Sequence, residues 1–173
     1  MLFFTALYAV IAIPNHYLFR TSALDLGLYT NALYDYIRLQ WNDSTLFMDV
    51  PQNLLADHFD LYLVIFSPLS LLFGTYTLLI VQVIAIVMGG LGIYRYFRLV
   101  SDREWLPLLA MIHFYLFFGI FSAVSFDYHS SVVAAMVLPW FFYYFRKRKY
   151  GPASVLVLFM LISKENTALW LLF

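Results

Sequence analysis

An all-α, polytopic bundle of membrane-spanning helices is the fold class this sequence predicts, and three observations predict it. Of 173 residues, 64% are hydrophobic and only 12% are charged, and the mean hydropathy is +0.81. A soluble domain of this size cannot hide so much apolar surface. The apolar residues form runs interrupted by four small polar islands: Asp25 with Gly27, Asp57-His58, Asp127-Tyr128-His129 and Lys164-Glu165-Asn166. The net charge of zero conceals a segregation, because the basic residues gather in Arg95, Arg98 and Arg103 and again in Arg146-Lys147-Arg148-Lys149. The positive-inside rule places both clusters in the cytoplasm. Such juxtamembrane basic runs have a topological explanation, so nucleic acid is not an expected partner; the bilayer is. The absence of cysteine excludes disulfides and thiolate metal sites.

With sidedness set by the basic clusters, each element follows in order. Residues 2–19 form an apolar stretch with no basic leader or small-residue cleavage site, which predicts a first span rather than a signal peptide. Residues 20–60 form the first extracytoplasmic loop, and Leu26, Tyr29, Leu33, Tyr36 and Ile37 recur within it at helical spacing, predicting an amphipathic helix on the interface. The apolar segment 61–73 would rise only about 20 Å as a helix, too little for a hydrocarbon core of about 30 Å. It reads as re-entrant or interfacial, with Pro68 interrupting it and Gly74 closing it. Spans are then expected at 76–94 (inward), 105–124 (outward), 132–145 (inward) and 152–162 (outward), about five in all. That count puts all four islands on the outer face. Trp140 to Phe145 read as a headgroup belt of aromatics, and Gly89, Gly90 and Gly92 as small residues for close helix packing. Residues 1–173 make one transmembrane domain; the chain stops inside an apolar helix, which predicts the front part of a longer protein.

The islands are the candidate sites because an ionisable side chain near a bilayer centre costs roughly 2.5–3.5 kcal/mol on insertion scales and normally faces a bundle interior or wet cavity. Each also has a plain structural reading. Ser22 to Asp25 fits a capping box with Asp25 against the helix dipole. Asp57 and Asp127 could cap the segments after them. Lys164 and Glu165 could pair with neighbours to lower the cost of burial. His16 and His113 read as satisfied helix residues.

The stretches Leu24-Asp25-Leu26-Gly27-Leu28-Tyr29, Asp57-His58-Phe59 leading into Ser67-Pro68-Leu69, Phe126-Asp127-Tyr128-His129 and Ser163-Lys164-Glu165-Asn166 occur here in order. In this the chain resembles a family of uncharacterised prokaryotic polytopic membrane proteins, itself similar to the GT-C glycosyltransferases that use sugars carried on polyprenyl phosphates. The resemblance covers the chain from about residue 20 onward. It implies a GT-C-like fold and a catalytic acid in the first outer loop, here Asp25. A second acidic position after the third span falls on Asp127. The family often carries a further acid or amide soon after its first Asp-Leu-Gly; Thr30-Asn31 stand there, without a second carboxylate.

Moving a glycosyl group from phosphate to a hydroxyl needs a base at the acceptor and positive charge or a metal at the phosphate. Asp25 suits the base, and Lys164, with Glu165 beside it, suits the phosphate end. His58 and His129 could donate to phosphate oxygens. Alternatively, Asp57, Asp127 and His129 could hold a divalent cation such as Mg or Mn. The expected function is therefore inverting transfer from a polyprenyl-phosphate sugar to an acceptor at the extracytoplasmic face of the cell membrane. A transporter or flippase, or a non-catalytic scaffold, are the alternatives.

Overall fold

The computed structural model describes residues 1–43 and 53–171, and of Asp57 the backbone alone. Part of the expected first loop and the last two residues therefore lie outside the described residues. What is described is helical, with no strand: α1 (Leu2–Tyr17), a π-turn (Ala23–Gly27) running into α2 (Leu28–Tyr36), α3 (Leu54–Asp57), α4 (Tyr62–Phe66), α5 (Ser70–Phe73), α6 (Thr77–Val100), α7 (Leu106–Leu116), α8 (Phe118–Ser125), α9 (Ser130–Ala135), α10 (Leu138–Arg146), α11 (Tyr150–Leu161) and α12 (Glu165–Trp170).

Helix α6 is the axis of the bundle, with α1, α7, α9 and α10 packed around it. Its 24 residues rise about 36 Å, enough to cross a bilayer. Leu78, Leu79, Gln82, Val83, Ile86, Val87 and Gly90 are buried at three- and four-residue spacing, so the inward face is continuous along it. Two apolar clusters sit on that face. One joins Leu26, Tyr29 and Leu33 to Tyr62, Leu78, Tyr128 and Met160. The other joins Tyr8 to Ile86, Tyr115 and Val124. Between helices in lipid there is little hydrophobic drive, so close packing and hydrogen bonds must hold them together. Tyr8 Oη donates to the Tyr115 carbonyl (2.7 Å) and Tyr115 Oη to the Val87 carbonyl (2.7 Å), tying α1, α7 and α6 in a row.

Several expected elements are broken more often than the hydropathy pattern indicates. The segment expected at 105–124 bends by 44° between α7 and α8. The 132–145 segment divides into α9 and α10, with Pro139 in the first turn of the second. Among the described residues, the run Tyr62–Val100 is long and apolar enough to cross a membrane, and the bent α7–α8 pair also qualifies if taken as one span. Leu2–Tyr17 and Tyr150–Leu161 are shorter apolar helices. Helix length alone therefore supports one or two crossings rather than the expected five.

The Tyr62–Val100 run is itself folded back. Gly74 has φ +54 and ψ −133, a conformation suited to glycine at a reversing turn. Phe66 and Leu69 before it line one groove with Val81, Ala85 and Met88 after it. In a straight helix Phe66 and Met88 would stand roughly 33 Å apart. The expected amphipathic helix is present as α2, but its apolar face is covered by protein, with Leu33 1% and Tyr29 7% exposed.

Candidate active site where the polar islands meet

Gln82 is a lone amide in the apolar run of α6, and it organises the loop between α8 and α9. Its Nε2 donates to the carbonyls of Ala123 (3.0 Å) and Asp127 (3.3 Å), while its Oε1 accepts from the His129 N–H (2.8 Å). Asp127, 3% exposed, then reaches across to the segment that follows α1. Its Oδ2 accepts from the N–H groups of Ser22 (2.8 Å) and Leu26 (3.4 Å). The Ser22 N–H is the group that Asp25 would have satisfied in a capping box. Ser22 Oγ accepts from the Leu24 N–H (3.2 Å), and a distant carboxylate completes the cap.

Asp25 is thereby relieved of a capping duty. Its half-buried carboxylate accepts no hydrogen bond from the described residues and interacts electrostatically with His129. His129 is half-buried and stacks on Phe126 at 5.5 Å. Burial holds its imidazole below the ordinary value; the Lys164 charge pushes the same way, and Asp25 and Asp127 oppose it. Lys164 approaches from the break between α11 and α12, its Nζ donating to Tyr29 Oη (3.1 Å) and lying 5.6 Å from that ring's centroid.

A further carboxylate, Asp60, completes the cluster and was not singled out from the sequence. It is 1% exposed; Ser130 Oγ donates to its Oδ2 and the Tyr62 N–H to its Oδ1 (3.1 Å). Burial pushes its carboxyl up to about 6, against those hydrogen bonds and the charges of Lys164 and His58. The backbone beside it is joined to the far island, Leu61 N–H donating to the Ile162 carbonyl (3.0 Å). His58 Nδ1 and Glu165 Oε1 lie 2.9 Å apart, and Glu165 Oε2 accepts from the Phe59 N–H (3.3 Å). This holds the Glu165 carboxyl below its usual range, its own N–H and His58 being the main causes.

The four islands thus form one connected network, from the π-turn through Asp127, His129 and Lys164 to Asp60, His58 and Glu165. Within it, Asp127 Oδ2 is engaged as an inter-segment cap. Among the described residues no three of His, Asp or Glu group closely enough to hold a metal; the expected cation trio includes the Asp57 side chain, which lies outside them. Asn31, in the region where the resemblance expects a further acid or amide, is tied to Asn42, whose Nδ2 donates to Asn31 Oδ1 (3.0 Å) and Asp35 Oδ2 (2.8 Å). His16 is satisfied locally, as expected, by Thr21 and Thr75, both at 2.9 Å.

A family model described as predicted membrane protein (DUF2079) matches residues 15–173, a stretch that contains every island. The chain belongs to this family. Neither a curated protein nor a solved structure matches it. Membership agrees with the membrane environment that composition required, and leaves the chemistry to be argued from the site. Two of its residues had faint signals in the sequence. Asp60 stands at the very mouth of an apolar run, and Gln82 is a strongly polar side chain amid the apolar first half of α6.

Proposed function

We propose that this protein transfers a glycosyl group from a polyprenyl-phosphate carrier to an acceptor at the extracytoplasmic face of the membrane, as the GT-C resemblance implies. The observation that carries the proposal is Asp25, a carboxylate with no hydrogen-bond donor among the described residues, within electrostatic reach of His129 in a cluster that also contains Lys164. A catalytic base must be close to its proton and not already occupied. In the proposed step Asp25 takes the acceptor hydroxyl proton as that oxygen attacks the anomeric carbon. The bond from that carbon to the carrier phosphate breaks, and the phosphate leaves with the electron pair. Lys164 supplies positive charge to the leaving phosphate, and the neutral imidazole of His129 offers it an N–H. Asp127 and Gln82 hold the two segments in register, and the His58–Glu165 pair fixes α12 against the segment before α4. No step is routed through a metal. In this proposal α1, α6, α7–α8, α9–α10 and α11 are the five spans, and α4–α5 is re-entrant; broken helices at membrane depth are tolerated where they line a cavity.

The deciding experiment supplies radiolabelled polyprenyl-phosphate sugars to the reconstituted protein. Asp25→Asn should lower transfer by roughly 10²- to 10⁴-fold with the thermal unfolding temperature unchanged. Full transfer by that variant would remove Asp25 from the chemistry.

Proton-coupled transport is a second proposal, favoured by a separate observation: Asp60 is a buried carboxyl raised to about 6 at a junction of broken helices. It requires solute flux driven by a pH gradient in vesicles and lost in Asp60→Asn; gradient-insensitive flux would dispose of it.

A further inference from the structure

The two basic clusters, about fifty residues apart in sequence, are brought to one place at the end of the bundle remote from the polar islands. Lys147 Nζ, at the end of α10, lies 4.7 Å from the Tyr143 ring centroid, and Arg95 on α6 acts electrostatically on the same phenol. The approach of the two helices is permitted by Gly92, where a side chain would meet Pro139 and Trp140. Trp140 Nε1 donates to the Met88 carbonyl (2.8 Å), fixing the indole across the seam.

The same seam carries an apolar groove of about 340 Å³, lined on α6 by Val81, Ala85 and Met88 and on α10 and the turn before it by Val137 and Trp140. Arg95 follows Met88 by seven residues, and Lys147 follows Trp140 by seven. Both cations therefore stand two helical turns beyond the groove on its own line, roughly 10 Å along the axis. An apolar channel ending in two converged cations and a phenol matches one kind of molecule in its surroundings. We infer that this seam binds an anionic glycerophospholipid, with one acyl chain in the groove and the headgroup phosphate held by Arg95, Lys147 and the Tyr143 hydroxyl. The occupant is set by charge complementarity: two cations stand roughly 10 Å beyond the end of an apolar groove, the spacing of a phosphate headgroup above an acyl chain. The site is separate from the island cluster, and it stands whatever reaction occurs there.

Trp140 reports on the groove directly. In a chain carrying Trp41→Phe, Trp105→Phe and Trp170→Phe, Trp140 is the sole indole. The protein is reconstituted into two kinds of vesicle with the same overall lipid composition and bromine content. In one the bromine is on phosphatidylglycerol chains, and in the other on phosphatidylcholine chains. Stronger quenching by the brominated anionic lipid is the expected result, since each basic side chain is worth roughly fivefold in local occupancy. Arg95→Gln with Lys147→Gln should abolish the excess, Arg103→Gln should leave it, and added inorganic phosphate should not compete it away. Equal quenching in the two vesicles overturns the inference, and that comparison needs no variant of the basic residues. An excess that survives the double substitution also overturns the assignment to Arg95 and Lys147. Loss of the excess on adding phosphate would show a free-phosphate site and not a lipid one.

Discussion

A single buried carboxyl, Asp60, makes the stability of the fold depend on pH. In the fold its pKa lies at about 6, against an ordinary value of 3.8, because burial opposes its ionisation. The folded chain holds that proton more tightly than the unfolded chain, so protonation favours folding. The contribution is whole below about pH 4, declines as the pH rises, and is lost above about pH 6. At about 1.4 kcal/mol per pKa unit, it is worth on the order of 3 kcal/mol. His129 and Glu165, both held below their ordinary values, act in the opposite sense as the pH falls. The telling quantity is therefore the difference in unfolding temperature between wild type and Asp60→Asn. It should change in wild type's disfavour between about pH 4 and pH 6 and be flat above; a constant difference across that range would contradict the burial argument. Asp25, Asp127, His58, His129, Lys164 and Glu165 were legible as candidates because a charge in an apolar chain is costly wherever it points. Asp60 was not, because it borders a polar loop, and only its contacts reveal that it turns inward to Ser130 and Tyr62.

At the level of elements, two glycines do different work, and substituting alanine separates them. A Cβ on Gly74 would meet nothing within 4 Å, so the cost of Gly74→Ala lies wholly in its positive φ. Roughly 1–3 kcal/mol of destabilisation is expected, with the α5–α6 reversal affected first. A Cβ on Gly90 would instead collide with the ring of Tyr115, which is anchored by its bond to the Val87 carbonyl. Gly90→Ala should cost roughly 1–3 kcal/mol as well, but Tyr115→Leu should recover part of it, whereas no partner substitution should rescue Gly74→Ala. Unfolding in detergent measured for wild type, the three single variants and each glycine variant combined with Tyr115→Leu checks this; equal rescue would mean the two sites had been misassigned. The glycine cluster in α6 was legible as a packing feature from its setting in lipid. The kinks were less so. Hydropathy averages over a window, whereas a bend at Phe117 or before Pro139 depends on local backbone geometry and on neighbours that satisfy the freed groups.

For the whole molecule, the arrangement of crossings makes a direct prediction. The chain contains no cysteine, so single cysteines can be introduced without background. Gln40→Cys and Asn166→Cys should react with an impermeant maleimide added to intact cells, while Asp102→Cys and Lys149→Cys should react only after permeabilisation. Labelling of Asp102→Cys from outside would overturn the five-span proposal. Composition and the placement of charge were sufficient, from the sequence alone, to require helices in a membrane environment and to nominate the islands, because the cost of exposing apolar surface to water or charge to lipid is a property of the residues themselves. Which side chains are occupied was a matter for tertiary structure. Asp25 and Asp127 are the same residue type in similar surroundings, and only the fold shows Asp127 accepting from the N–H groups of Ser22 and Leu26 while Asp25 has no hydrogen-bond donor among the described residues and acts electrostatically on His129. A hydrogen bond between residues about a hundred positions apart leaves no periodicity for a sequence to display, and it is that bond which separates a cap from a candidate base.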